Sequence, residues 1–520
     1  MTKVKKGNRK RAYKPKSSTG CQTCRIRRVK CDEKHPACIR CESTGRTCDG
    51  YTPVFQKSQI SQQANILVKT SISTAIHASP QAHRSFDFFV HRTRPQLAGF
   101  FGSEFWERLV LQAAHHEPAI RHAVVAIGSL HELFENNAPI PQVNRIFALE
   151  QYNTAINKLL VPITRKEGRG VDVCLIACIL FTCVENMQGH HLSALSHIQS
   201  GAKLLGETLL DRRNGSIEHQ VLGSKSTAEC YVPLESLAKI FSGLGLQDAM
   251  MGGVDQFHLH DSPLSDKAAN VIPISFSSIE EAKYVFEYGV ELFRSHCVAQ
   301  GSDHSMPASG IDGRMADFSI LLSNFSHALE DFMKSKGSSI TPKEQIAMDI
   351  LRLHVLSAKV TLNLELLPPD KRSTEYTGFL PDVQEILDLG ENIIASTSTS
   401  YIFGRAATSF CLDMGYIIPI YTVASQWQDP TIRRRAIAIL RSVPRQEGIW
   451  NSILVAKAAE RMMELEENTL GGFEACMEYS DKTRTQPFLE IDARGGRLQY
   501  FQGGEGSAKG INVVEEIFTG

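Results

Sequence analysis

The sequence predicts a mainly α-helical protein. A small cysteine-rich module comes first, then a disordered linker, then a large all-α body carrying one C-terminal β-hairpin. Three observations predict it. Six cysteines fall between Cys21 and Cys48, while the rest of the chain holds seven. Polar residues rich in Gln, Ser and Thr fill 49–82. From residue 83 onward, apolar residues recur at three- and four-residue spacing over most of the chain. At 520 residues, 42% hydrophobic and 22% charged, the chain can bury a large core and still carry a satellite domain. The expected division is a basic disordered tail over 1–20, a module over 21–48, a flexible linker over 49–82 and a helical body over 83–520.

The tail, MTKVKKGNRKRAYKPKSSTG, lacks the apolar core of a secretory signal. It also hides an imbalance beneath a formal net charge of zero. Residues 1–50 carry fifteen Lys and Arg against four acids, leaving 41 basic and 52 acidic residues for the remainder. A basic end on a mildly acidic body points to a polyanion for the end. The tract KKGNRKRAYKPK reads as a nuclear import signal and a phosphate-binding arm together. The longest strongly apolar run, CLIACILFTCV at 174–184, is too short to span a bilayer and suits a buried helix. No membrane is expected, and in a reducing compartment clustered cysteines favour metal over disulfides.

The module reads CQTCRIRRVKCDEKHPACIRCESTGRTC, with Cys21, Cys24, Cys31, Cys38, Cys41 and Cys48. Its spacing contains C-x2-C-x6-C twice. Each unit offers three thiolates, one short of a tetrahedral zinc shell. Two zinc ions need eight ligand positions, so two of the six sulfurs must bridge both metals. Pro36 in DEKHPA sets a tight turn that lets the halves meet. So short a segment folds only because metal binding supplies the free energy.

The halves differ in charge. The first spacer, RIRRVK, carries four positive charges; the second, ESTGRT, carries one of each sign. Only the first half presents a basic face for nucleic acid. A short helix after Cys24 would place Arg and Lys against guanine edges or flanking phosphates.

This module closely resembles the fungal binuclear zinc cluster family of transcription factors, in all six cysteine spacings and in the basic CRxRRxKCD stretch. The resemblance implies two zinc ions bridged by Cys21 and Cys38. One ion would take Cys21, Cys24, Cys31 and Cys38; the other would take Cys21, Cys38, Cys41 and Cys48. It also implies double-stranded DNA as the partner and CGG-like triplets as the target. Arg28 stands where the family's main base-reading lysine lies, with Arg27 beside it. Arginine suits bidentate contact with guanine, so the reading should persist. Arg25 and Lys30 would hold phosphates, and Pro36 matches the family's turn proline. Likeness extends into the body: 84–135, 148–156 and 171–205 look like regulatory-region segments of zinc cluster proteins from filamentous fungi. In that family this region regulates, binds partners such as co-regulators, or senses metabolites.

The linker shows no sustained heptads, so the coiled coil that pairs many such proteins is not expected. Two arrangements follow: binding as a monomer, or a homodimer paired through the helical body. In the body, Ile120, Val124, Ile127 and Leu130 recur at helical spacing behind Pro118. Leu149, Tyr152, Ile156 and Leu159 do the same. Further helices are expected near 172–187, 191–206, 231–247, 277–298, 314–334, 343–366, 378–395, 405–426 and 450–467, packed as antiparallel pairs. Polar breaks at 208–229 and 299–313 read as surface loops. PFLEIDARGGRLQYFQ alternates about Gly495–Gly496 and predicts the hairpin.

No enzyme is expected. His115, His116 and His122 around Glu117 fall at a helix start and lack the H-E-x-x-H pattern. His190, His191 and His197 read as a turn and a polar helix face. Cys174, Cys178 and Cys183 sit in apolar surroundings that suit packing. Gly243-Leu-Gly245 follows a helix, not a strand, so it is no dinucleotide fingerprint, and no G-x-S-x-G or P-loop pattern occurs. The sequence therefore predicts a nuclear, sequence-specific regulator of RNA polymerase II transcription. The rival reading is a helical interaction or metabolite-sensing protein with a non-selective zinc tether.

Overall fold

A computed structural model describes residues 21–27, 29–34, 36–49, 79–136, 142–164, 170–211, 213–249, 275–301, 309–367, 371, 375–397, 401–402, 405–469, 488–492, 495–502 and 512–518. The chain divides into two compact units, Met1–Ser73 and Thr74–Gly520. The fold is mainly helical, with an N-terminal cysteine cluster and a few small strands. The basic tail and nearly all of the expected linker lie outside the described residues.

The first unit holds two short helices, α1 (Gln22–Ile26) and α2 (Ile39–Glu42). The second unit opens with α3 (Pro80–Phe88), three residues inside the stretch read as linker. Ser79 caps it by accepting from the Ala82 amide, and Pro80 occupies the first turn, where its missing N–H costs nothing. A wide π turn over Phe89–Thr93 carries this helix into α4 (Arg94–Leu97), ahead of Pro95, which has no N–H to donate. A second π turn, Phe105–Leu109, leads into α5 (Val110–His116).

Then α6 (Pro118–Asn136), α7 (Gln142–Thr164), α8 (Val171–Met187), α9 (His191–Gly206) and α10 (Leu234–Ala249) build the first core. Helix α8 contains the longest apolar run, and all of it but Cys178 and Met187 is buried, as a helix apolar on every side must be. Gly128 of α6 lets α3 come close, because a Cβ there would stand 2.0 Å from the Ser85 carbonyl oxygen.

The second core comes from α11 (Ile279–Gly301), α12 (Ser309–Lys336), α13 (Pro342–Leu366), α14 (Leu380–Ser396), α15 (Ile417–Gln426), α16 (Pro430–Ser442) and α17 (Ser452–Thr469). Thr341 and Glu344 close a reciprocal capping box at the start of α13.

Four local expectations change. The 208–229 break is a three-stranded antiparallel sheet, β1 (Leu209–Asp211), β2 (Ser216–His219) and β3 (Gly223–Ser226). It pins itself by burying Ile217, with Gly215 at φ 68° and Gly223 at φ 84° in the turns. The helix expected over 405–426 starts only at Ile417. Before it run β4 (Tyr401–Ile402), β5 (Arg405–Ala406) and β6 (Ser409–Cys411). Strand β6 pairs in parallel with β7 (Arg445–Glu447), which continues antiparallel to β8 (Trp450–Asn451). Third, α16 was not expected, although Asp429 caps it by accepting from the Thr431 and Ile432 amides, with Pro430 behind. Finally, the hairpin turns between Asp492 and Gly495 rather than at the glycine pair. Its strands, β9 (Phe488–Asp492) and β10 (Gly495–Gln502), gain a third, β11 (Asn512–Phe518).

The two cores are stitched by polar groups at the β6–β7 sheet. The Gln446 side-chain amide donates to the Asn186 carbonyl at 3.0 Å, while β6 sits with the first core through Phe410, whose amide donates to Gln96 Oε1 at 3.0 Å. Arg445 pairs with Glu447 at 2.6 Å, both largely buried. The Glu447 carboxylate accepts the Tyr416 and Ile417 amides at the start of α15. That buried cap explains why α15 starts where it does.

Candidate metal centre and nucleic-acid face

The two C-x2-C-x6-C units fold alike. In the first, Cys21 Sγ accepts from the Cys24 amide at 3.4 Å; in the second, Cys38 Sγ accepts from the Cys41 amide at 3.3 Å. Five residues after each second cysteine, the chain closes the same turn, Val29 N to Cys24 O and Arg46 N to Cys41 O, both at 3.1 Å. Cys31 Sγ accepts from the Cys21 and Glu33 amides at 3.4 Å each. Amide donors aimed at sulfur stabilise thiolates, which is the form a metal requires.

Those turns gather all six sulfurs. Cys21, Cys24, Cys31 and Cys38 form one group, and Cys21, Cys38, Cys41 and Cys48 form another, with ligand atoms within 4.8 Å of one another. Cys21 and Cys38 belong to both groups, their sulfurs 3.6 Å apart. Cys24 to Cys38 is 3.7 Å, and Cys21 to Cys41 is 3.8 Å. Four sulfurs about 2.3 Å from one tetrahedral zinc stand about 3.8 Å apart, so the donor set fits two zinc ions sharing ligands. Among the described residues, no other cluster of His, Cys, Asp or Glu has metal-binding spacing.

Electrostatics argue the same way. Burial raises the thiol pKa values of Cys21, Cys24 and Cys38, Cys21 to about 12. Without a cation, burial disfavours the thiolate form of these three sulfurs. Two divalent ions reverse that preference, so loading releases protons and binding depends on pH.

Asp32, which sequence reading left without a role, ties the halves together. Its carboxylate accepts the Ile39 and Arg40 amides, both at 3.0 Å, at the start of α2. Slight desolvation works against ionisation, but these amides win and hold the carboxyl below its usual pKa. A second tie links Thr23 Oγ1, which donates to Asp49 Oδ2 at 2.8 Å and accepts from the Asp49 amide at 2.9 Å. Both acids follow the last cysteine of their unit, and that shared C-D pair is the signal sequence reading passed over.

The basic residues fall in and around α1. Arg25 lies within it. Arg27 follows, half-buried, and donates to Thr44 Oγ1 at 3.3 Å. Lys30 is exposed, and Pro36 sits exposed in the bend before α2. Arg28 lies outside the described residues.

A two-zinc thiolate cluster bearing a basic helix defines a zinc-dependent DNA-binding module. Residues 19–58 match the fungal Zn(2)-Cys(6) binuclear cluster domain, and along most of its length the chain is similar to fungal Zn(2)-C6 transcription regulators. It is 25% identical to the aspercryptin biosynthesis cluster-specific transcription regulator of Emericella nidulans, over 98% of this chain and 97% of that one. A Zn(2)-C6 fungal-type transcription factor of Aspergillus fumigatus is 32% identical over 28% of this chain and 42% of its own. The arginine metabolism regulation protein II of Saccharomyces cerevisiae shares 34% over 16% of this chain and 10% of its own. No solved structure matches.

In the body, the described His and Cys groups singled out by sequence are taken up by packing and hydrogen bonds. Cys174 and Cys183 are buried in the first core, with Cys178 packed against it. His190 and His197 flank a buried Glu185–Tyr152 hydrogen bond, with His190 Nδ1 2.9 Å from Glu185 Oε2. His122 meets Gln151 at 2.7 Å, and His116 stacks on Tyr231. Gly243 lies within α10, where it accommodates the Glu287 side chain. Among the described residues, no helix is long and apolar enough to cross a membrane.

Proposed function

We propose that the protein acts in the nucleus as a sequence-specific regulator of RNA polymerase II transcription and reads a CGG-like triplet in the major groove. One observation carries this reading. Two copies of the same fold are joined, yet only the first has a net positive spacer, RIRRVK with four positive charges against ESTGRT with one of each sign. A scaffold needed only to hold zinc has no reason for that asymmetry, whereas a DNA reader does. The six cysteines are the zinc ligands, with Cys21 and Cys38 bridging. Arg28, with Arg27 beside it, reads guanine O6 and N7, while Arg25 and Lys30 hold phosphates. Pro36 fixes the turn between the halves. The division of labour is tail 1–20, cluster 21–48, linker 49–82 and regulatory body 83–520, the body meeting co-regulators or a second copy. Similarity along nearly the whole chain to a biosynthesis-cluster regulator supports a regulatory rather than catalytic body.

The test is selection from a randomised DNA pool by the zinc-loaded full chain at physiological salt. A single CGG is the expected outcome for a monomer. Two triplets at fixed spacing would place the pairing contact in the body, and no enriched motif would overturn the reading. Arg28→Ala should then lose discrimination at one or two guanines, at a cost of about 1–3 kcal/mol, while Lys30→Ala weakens all sequences alike.

A further inference from the structure

Ile26 ends helix α1 and is 79% exposed; among the described residues, no large apolar side chain is more exposed. Single exposed hydrophobes are common on protein surfaces, so exposure alone carries nothing. Its position carries more. Residues on an α-helix advance about 100° each. The buried ligand sulfurs of Cys21 and Cys24 mark the metal side of α1, and Ile26 falls about 180° from their mean direction. It is therefore the residue of α1 aimed most squarely away from the metals, flanked in sequence by Arg25 and Arg27.

The internal repeat supplies a comparison. Aligning Cys24 with Cys41 sets Arg25 against Glu42, Ile26 against Ser43, Arg28 against Gly45 and Lys30 against Thr47. The half that carries the positive charge also carries an outward apolar side chain, where the neutral half has a hydroxyl. Ser43 is exposed as well, so the shared backbone does not require an apolar residue there. Charge without the isoleucine would suffice for phosphates. An apolar side chain added to a basic helix face suits an apolar feature of DNA, and in the major groove that feature is the 5-methyl group of thymine.

We propose that Ile26 is a specificity-determining residue that contacts a thymine methyl next to the guanines read by the neighbouring Arg27 and Arg28. The proposal rests on the DNA-reading function above and adds to it a preference for thymine at one neighbouring position.

The experiment uses the zinc-loaded full chain and the motif that selection returns. Each thymine near the triplet is replaced in turn by deoxyuridine, which removes only the methyl group. Wild-type protein should lose about fourfold in affinity at one position, the worth of about one buried methyl. Ile26→Ser, which writes the second half's residue into the first, should weaken binding to thymine DNA at least as much and no longer sense deoxyuridine. Ile39→Ser removes a half-exposed apolar residue from the neutral half and should behave as wild type, deoxyuridine penalty included. A selected motif without thymine overturns the proposal but leaves the DNA-reading function intact. So does a wild type indifferent to deoxyuridine, a measurement that needs no variant to fold. An unchanged deoxyuridine penalty in Ile26→Ser, in protein holding two zincs, also overturns it. If selection returns no motif at all, both readings fall together.

Discussion

Glu287→Gln should make the body more stable above neutral pH and flatten the dependence of its stability on pH. Glu287 lies on α11 at 3% exposure, wedged against Gly243 of α10, where a Cβ would stand 2.9 Å from its Oε1. Its nearest cation, Lys283, is 3.8 Å away and is claimed more closely by Asp413 at 2.5 Å. Burial therefore dominates. Lys283 offsets it only in part, Asp413 adds repulsion, and the carboxyl rises from 4.5 to about 7. Between those values the folded protein holds a proton that the unfolded chain has released. Stability supplied by that proton is fully present below pH 4.5 and is lost as pH climbs through 7. A shift from 4.5 to about 7, at about 1.36 kcal/mol per unit, amounts to about 3 kcal/mol.

Glutamine keeps the shape and removes the charge, so Lys283 remains paired with Asp413. The difference between Glu287→Gln and wild type should move in the variant's favour by about 3 kcal/mol between pH 4.5 and pH 8. All three tryptophans, Trp106, Trp427 and Trp450, belong to the body, so urea titrations followed by their fluorescence report on it alone. A difference that does not change with pH would refute the reasoning. So would a variant less stable than wild type at pH 8, because the carboxylate would then be a net stabiliser of Lys283.

Gly128→Ala drives a methyl to 2.0 Å from the Ser85 carbonyl and 3.1 Å from Phe89 Cβ. Backbone cannot yield as a side-chain tip can, so a loss of about 1–3 kcal/mol or more is expected in the same titration. Gly206→Ala, with nothing within 4 Å, should cost nothing. Chelating zinc should abolish DNA binding and leave the tryptophan-monitored transition unmoved, because the cluster and the body are separate compact units. Asp32→Ala removes the acceptor of the Ile39 and Arg40 amides without touching a sulfur. Metal analysis should still find two zincs while DNA affinity falls, and Asp32→Asn should fall in between.

What could be read from the sequence follows from how locally each feature is determined. The cluster was legible because its spacing is its geometry: six sulfurs and two turns leave little freedom. Helix α8 was legible because a run as apolar as CLIACILFTCV has no stable alternative to burial. The β6–β7 pairing was not, since Ser409–Cys411 meets Arg445–Glu447 across an intervening pair of helices, and three-residue strands carry no period of their own. That same contact hid the true start of α15, whose cap is the Glu447 side chain some thirty residues downstream. By contrast, α16 was missed although its Asp429–Pro430 start is local. Its sequence, PTIRRRAIAILRS, has three consecutive arginines that mask a short apolar face, and Arg433 itself is buried, its Nε donating to the Ala424 carbonyl at 2.8 Å. Asp32 marks the remaining boundary. An acid beside a cysteine shows no partner until the second half of the repeat is folded against it, and only then do the Ile39 and Arg40 amides at the start of α2 show what the carboxylate holds.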